Sequence, residues 1–310
     1  MLLRQVLLGA SRNEQLRAVV ENAPVSRSVV ARYVAGNRTE DAVRAARELV
    51  DEGLMVTIDY LGEYTTDQTQ AEQKAQAYLT LLAALDAAGL TSKAEVSVKL
   101  SAIGQALPTD GEKIALDHAR VIAAAARAAG TTMTLDMEDH TTTESTLRIL
   151  RELRQEFPET SAVLQAMLRR TEADCRELTY EGSRVRLCKG AYDEPVSVAY
   201  TDVKDIDHSY VRCLRILMSS PGYPMVATHD PRLIAIAVAL ATRFGREKGS
   251  YEFQMLHGVR PQEQRRLAST GEKVRVYLPY GEEWYGYLVR RLAERPANMS
   301  LFLRSLVSSS

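Results

Sequence analysis

Eight short runs rich in β-branched and apolar residues, separated by longer stretches of helical spacing, constrain this chain more than any other feature. The runs are MVTIDYL (55–61), EVSVKLS (95–101), TMTLDME (132–138), AVLQAML (162–168), RVRLCKG (184–190), YPMVATH (223–229), YEFQMLH (251–257) and KVRVYLP (273–279). Between them lie alanine- and leucine-rich stretches such as QAEQKAQAYLTLLAALDAAG and KIALDHARVIAAAARAAG, and several close on a glycine, as a helix C-terminus does. Strand alternating with helix implies parallel strands joined by right-handed crossovers. Eight such units over roughly 250 residues predict an α/β fold of the (β/α)8 TIM-barrel type, with the helix over 280–295 as the eighth. The competing open, doubly wound sheet usually carries a glycine-rich strand-to-helix turn for a nucleotide. Neither GxGxxG nor the phosphate-binding GxxxxGK run occurs here.

The flanks divide the chain into three expected parts: helices over 1–50 packed on the barrel, the barrel itself over 51–298, and a tail over 299–310. Leu2, Leu3, Val6 and Leu7 form a helical stripe that Asn22–Pro24 breaks. A second helix is expected from about Ser26 to Gly36–Asn37. A third is expected with Thr39 as its cap, running through Val43, Ala46 and Val50 to Gly53. The opening MLLRQVLLGASR has too short an apolar run and too early an Arg4 for a signal peptide, and no segment approaches a bilayer span. Three widely spaced cysteines, Cys175, Cys188 and Cys213, disfavour a disulfide framework and point to a reducing, cytoplasmic setting. A net charge of −1 excludes the basic surplus of a nucleic-acid binder. The five histidines are too scattered for a metal site.

A barrel puts its function at the C-terminal strand ends. The candidates there are Asp59, Lys99, Asp136, Glu138, Gln165, Arg186, Lys189, Thr228, His229, Gln254 and Tyr277. Polar groups recurring in nearly every strand predict a polar pocket over the barrel mouth. Blander roles exist for each. Lys99 could pair with Asp136 for structure alone, His229 could cap the next helix or bond a carbonyl, Asp59 could hold the first loop, and Tyr192 and Tyr277 could be packing aromatics. Cys188 reads as a small strand filler.

The stretch 280–298, YGEEWYGYLVRRLAERPAN, separates on a helical wheel. Tyr285, Leu288, Val289 and Leu292 share one face, with Glu283, Tyr287, Arg290 and Glu294 opposite and Arg291 at the edge. Gly286 would admit a close approach to the polar face, and Pro296 stops the helix. Two adjacent guanidiniums suit a carboxylate, which each can bind bidentately. The alternative is an ordinary solvated helix face.

Taken together, RLCKGAYDE (186–194), VATHD (226–230), YEFQMLHGV (251–259), VRVYLPYG (274–281) and YLVRRLAERPAN (287–298) resemble the proline dehydrogenase family. SVKLSAIG (97–104), LDMED (135–139) and LQAML (164–168) resemble its second, third and fourth strand motifs in the same order. The resemblance implies a distorted (β/α)8 barrel whose eighth helix lies over the mouth and which holds FAD without covalent attachment. It implies oxidation of L-proline to Δ1-pyrroline-5-carboxylate, with electrons passing to a membrane quinone and hence contact with the membrane surface. Arg290 and Arg291 then match the pair that grips the proline carboxylate, Lys99 the strand-two lysine beside it, and Asp136 the strand-three acid. Arg186 matches the arginine near the flavin N5 and Gln165 the glutamine at the isoalloxazine ring. Lys189, Gly190, Ala191, Thr228, His229 and Gln254 match cofactor contacts, and Tyr192, Leu256, Tyr277 and Tyr287 line the proline ring. Cys188 stands where the family usually has valine, and Asp193 where an aromatic or basic residue is common. Glu294 and Asp136 are expected to neutralise the arginine pair before substrate arrives, and the eighth helix to close as it does. Tyr277 beside the ring leaves little room for a ring hydroxyl, so hydroxyproline should be the poorer substrate. LFLRSLV (301–307) reads either as a tail packed on the barrel or as an amphipathic foot. Other chemistries remain: a Schiff-base aldolase or lyase using Lys99 or Lys189, or a barrel that binds without turnover.

Overall fold

The computed structural model describes residues 30–294. The expected N-terminal stripe at 2–7, the break at 22–24, Pro296 and the tail beyond 299 lie outside them. Residues 30–33 are helical and end before Gly36, which adopts φ +138. Helix α1 (Thr39–Asp51) follows, and it corrects the expected cap. Thr39 is its first residue, and Arg38 occupies the cap position with its N–H donated to the Asp41 carboxylate at 3.2 Å.

All eight expected strands form, and they close on themselves as a parallel barrel in the order β1 to β8. The chain runs β1 (Met55–Tyr60), α2 (Gln68–Ala87), β2 (Ala94–Val98), α3 (Gly111–Ala128), β3 (Met133–Leu135), α4 (Thr143–Glu156), β4 (Ser161–Gln165) and α5 (Thr171–Glu177). It continues with β5 (Arg184–Cys188), α6 (Val203–Met218), β6 (Tyr223–Ala227), α7 (Pro231–Arg243), β7 (Glu252–Leu256), α8 (Pro261–Ser269), β8 (Val274–Tyr280) and α9 (Trp284–Glu294). All the strands but β8 are shorter than their sequence runs. Lys99, Glu138, Lys189, Thr228 and His229 therefore sit in the loops just past the strand ends. β3 stops early because the carbonyls of Met137 and Glu138 accept the side-chain amide of Gln165, at 3.3 and 2.6 Å, instead of a neighbouring strand. After β2 the chain enters a π-helical turn (Ser101–Gln105) that strand periodicity does not announce.

Alternation decides where the core lies. Val56 and Ile58, Val96 and Val98, Val185 and Leu187, and Val276 and Leu278 turn outward against the helices and are buried there. The residues between them turn inward and are polar. Some of the bonds they make join strands that are not neighbours and so cross the lumen: Arg184 of β5 reaches Glu95 of β2 at 2.9 Å, and Arg186 of β5 reaches Asp136 just past β3 at 2.7 Å. A barrel of this kind usually fills its lumen with branched aliphatics. Here the oily layer is the sheet–helix interface, and the lumen is a column of paired charges.

At the N-terminal end of that column Arg275 bonds Glu252 at 2.7 Å and lies 3.6 Å from Glu95. Burial would raise the Glu95 carboxyl, but Arg184, Arg275 and Arg186 outweigh it and hold it at about 2. Removing one member of such a buried network strands a charge, which costs roughly 3–5 kcal/mol. Arg275→Met should therefore lower unfolding stability by that amount in urea denaturation. An unchanged midpoint would show that water, not Arg275, balances Glu252.

Candidate active site

Above this floor, Arg186, Asp136 and Tyr277 meet at the middle of the lumen. Asp136 accepts from Arg186 Nη1 at 2.7 Å and Ser97 Oγ at 2.9 Å on one oxygen, and from the Tyr277 hydroxyl at 2.7 Å on the other. Arg186 also donates from Nε to Gln254 Oε1 at 2.5 Å, and its guanidinium carbon lies 5.4 Å from the Tyr277 ring centre. Gln254 is oriented in turn by Glu252, to which its NH2 donates at 2.6 Å. The expected cofactor contact Gln254 thus has both ends of its amide on protein groups. Burial, together with Asp136 and Asp59, pushes the Tyr277 hydroxyl well above its ordinary value, so it stays a neutral donor.

Lys99 is buried beside this group, but its partner corrects the expectation: it pairs with Asp59, at 2.5 Å, and not with Asp136. Burial works against the ammonium, yet Asp59, Asp136 and Glu63 outweigh it and raise its pKa. A Schiff-base lysine must shed its proton readily; Lys99 is held in the opposite state. Lys189, the other lysine of that reading, pairs with Asp207 at 2.5 Å and Asp230 at 3.3 Å.

Over the mouth lies α9. Tyr285, Leu288 and Val289 bury against Tyr33, Val34 and Leu61, as its apolar face requires. Tyr287, expected on the polar face, is also buried, only 5% exposed, because that face looks into the protein. Arg290 is not solvated either. It grips the Glu63 carboxylate through both Nη atoms and lies 5.8 Å from the Tyr192 ring centre. Arg291 lies 5.2 Å from the Tyr287 ring centre. Glu63 therefore corrects the expected neutralising partner: Asp136 is engaged by Arg186, and the side chain of Glu294 lies outside those described. Glu63 went unread in the sequence, although an acid three residues past a strand end meets the same rim criterion as the others.

Along the other side of the mouth, Gln165 is fixed by its NH2 on β3 carbonyls, which leaves Oε1 buried without a hydrogen-bond partner. Gly190, at φ +103, presses close: a Cβ there would meet Met167 Sδ at 2.2 Å and Gln165 Oε1 at 2.9 Å. Only glycine fits against Met167 at that point, and Ala191 and Tyr192, both half-buried, follow it. Thr228 and His229 follow β6. Asp230, not His229, caps α7, accepting from Arg232 N at 3.0 Å, while His229 Nε2 accepts the Leu256 N–H at 2.8 Å. Leu256 stands in register with Tyr277 across β7 and β8. Cys188 packs half-buried with Sγ 3.6 Å from the Leu164 carbonyl, as a strand filler would. Among the described residues no cluster of metal ligands occurs and no helix is long and apolar enough to cross a membrane.

Glu138 completes the rim. It is 1% exposed and accepts from Ser101 N at 3.1 Å and Ser101 Oγ at 2.5 Å. Burial and then Glu63 push its carboxyl up to about 7. A carboxyl whose folded pKa lies above its unfolded value holds a proton the unfolded chain has lost, so stability falls as pH rises from the unfolded value to about 7. The full penalty, roughly 3 kcal/mol, applies above that range. Glu138→Gln should accordingly raise the melting temperature relative to the native chain at about pH 8 and leave it nearly unchanged at about pH 4. An equal shift at both pH values would mean that Glu138 is not protonated in the fold.

Comparison with known proteins places this geometry. The family model "Proline dehydrogenase" matches residues 42–304. Proline dehydrogenase 1 of Bacillus subtilis (strain 168) is 38% identical over 306 residues, 99% of each chain. Proline dehydrogenase of Deinococcus radiodurans is 39% identical over 278 residues, 89% of each chain. Among solved structures, proline utilization A from Bdellovibrio bacteriovorus, inactivated by N-propargylglycine, superimposes with a TM-score of 0.79 at 26% identity. That match covers 90% of this chain and 34% of the longer one. A barrel with this polar mouth, matched over this length, belongs to the proline dehydrogenase family.

Proposed function

We propose that this chain oxidises L-proline to Δ1-pyrroline-5-carboxylate by hydride transfer to FAD, with the electrons passed on to a quinone, as the first step of proline catabolism. The observation that carries the reading is Arg290, its side chain only 13% exposed over the mouth and held by Glu63, with Arg291 beside it and Lys99, Asp136 and Tyr277 below. The cations of that set, Arg290, Arg291 and Lys99, suit a small anion. A carboxylate would gain roughly 1.5–3 kcal/mol from each charge-assisted bond.

The residues present fit a flavin. The buried, unbonded Oε1 of Gln165 offers an acceptor to a ring N–H. Arg186, Gln165, Lys189, Gly190, Ala191, Thr228 and His229 would hold the group, with Gln254 acting through Arg186. When bound, FAD supplies the hydride acceptor.

The chain's own residues supply position and electrostatics. Arg290 and Arg291 orient proline by its carboxylate, and Tyr192, Leu256, Tyr277 and Tyr287 shape the space for its ring. Tyr277, donating to Asp136, and Arg186 hold the wall below that ring rigid. Proline must lose its ammonium proton for the C–N bond to take on double-bond character as hydride leaves the adjacent carbon. Lys99, kept cationic by Asp59, adds positive charge where the carboxylate sits. Closure of α9 over the substrate would exclude water from this step.

Purified protein should be yellow, and anaerobic L-proline should bleach it. Arg291→Lys loses the planar fork, so it should keep the colour while KM for proline rises at least about tenfold. Failure to bleach would reject the reaction, and an unchanged KM in Arg291→Lys would reject the carboxylate assignment alone.

A further inference from the structure

Glu138 has no part in the chemistry above, and among the described residues no cation comes within ion-pair distance of it. Among the described residues its carboxylate bonds only Ser101, and Ser101 is also the anchor of the loop after β1. Ser101 Oγ accepts the Tyr64 N–H at 2.9 Å, and the Ser101 carbonyl accepts the Thr65 N–H at 3.0 Å. Between those anchored amides and β1 lies Glu63, which holds Arg290. Tyr64 itself sits at φ 53, a left-handed conformation that costs a bulky non-glycine residue energy and persists only where its surroundings enforce it. The enforcement comes from the end of β3: Glu138 through Ser101, and Asp139, which accepts the Tyr64 hydroxyl at 2.9 Å.

We propose that Glu138 is a positioning residue for substrate recognition: through Ser101 it clamps the loop that presents Glu63 to Arg290, and its own charge opposes an incoming carboxylate. This rests on Arg290 being the carboxylate site. Ionised, Glu138 adds a second negative charge beside Glu63, and carboxylate binding weakens. Protonated, it keeps the clamp without the repulsion. The groups that bear on it from the surrounding elements are Glu63 and Tyr64 after β1, Lys99 after β2, Asp139 on its own loop and Tyr192 after β5. Of these, Lys99 is locked to Asp59 and Glu63 to Arg290, and burial raises both tyrosines above any working pH. Asp139 is held below its usual range despite its burial by bonds from Thr141 and Tyr64. Glu138 is the member of this set placed to change charge near neutrality.

The test is calorimetric titration of cyclopentanecarboxylate, a ring acid with no amine to titrate and no C–N bond to oxidise, into the purified enzyme as isolated. In the native protein Kd should rise about tenfold between about pH 6 and about pH 8.5, the effect of one added negative charge in a partly buried site. In Glu138→Gln, which keeps the shape and stays neutral, Kd should remain at the native low-pH value throughout. Persistence of the rise in that variant would overturn the proposal. Ser101→Ala separates the clamp from the charge: affinity should weaken at every pH with the rise retained, and unchanged affinity would overturn the clamp. If the native protein bound no ring carboxylate while still being bleached by proline, Glu138 would lose its assigned role without harm to the reaction. Failure of both would reject the reading of Arg290 as well.

Discussion

The ion pair between Arg186 and Asp136 crosses a closed barrel, and the upper half of the molecule is arranged around it. Two buried charges lose their hydration, and their attraction offsets that loss only where the remaining donors and acceptors are also met. Here they are met. Arg186 donates to Asp136, Ser97, Gln254 and Thr57, and Asp136 accepts from Arg186, Ser97 and Tyr277. Those partners come from β1, β2, β5, β7 and β8, with Asp136 just past β3. One pair therefore ties most of the wall together at a single height.

From that height the structure is layered in both directions. Below, Gln254 passes the constraint to Glu252, Arg275, Arg184 and Glu95, whose charges close the floor. Above, Tyr277 and Lys99 set the space that α9 covers. The interior is expensive to dehydrate, and the hydrophobic layer between sheet and helices offsets the cost. This separation leaves the lumen available for polar chemistry while the outer layer holds the fold. Substrate then meets a site whose donors are already fixed by other groups, so little ordering remains to be done on binding.

Much of this was legible in the sequence, for identifiable reasons. The strands were visible because each is buried on its outer face, and the period of two survived the polar inner face. The rim residues were visible because a charge at a strand's C-terminal end is unusual unless something uses it. Partners were not legible. Lys99 chose Asp59 over Asp136, and Arg290 chose Glu63, because the stagger of a closed barrel decides which inward groups share a level. The same stagger put Arg184, Arg275, Glu95 and Glu252 on one floor, although they are up to 180 residues apart in sequence. Strand ends were misjudged where a side chain replaced a ladder partner, as Gln165 does beside β3, and where the chain turned into a π-helical loop at Ser101.

The central claim is that Arg186 and Asp136 act as one unit in holding the site. A double-mutant cycle with Asp136→Asn and Arg186→Met, read as kcat/KM for proline, tests it most directly. Each single change should cost nearly as much as the two together, a coupling of about 2 kcal/mol or more. Losses that simply add would contradict the account and leave the two residues as neighbours with separate tasks.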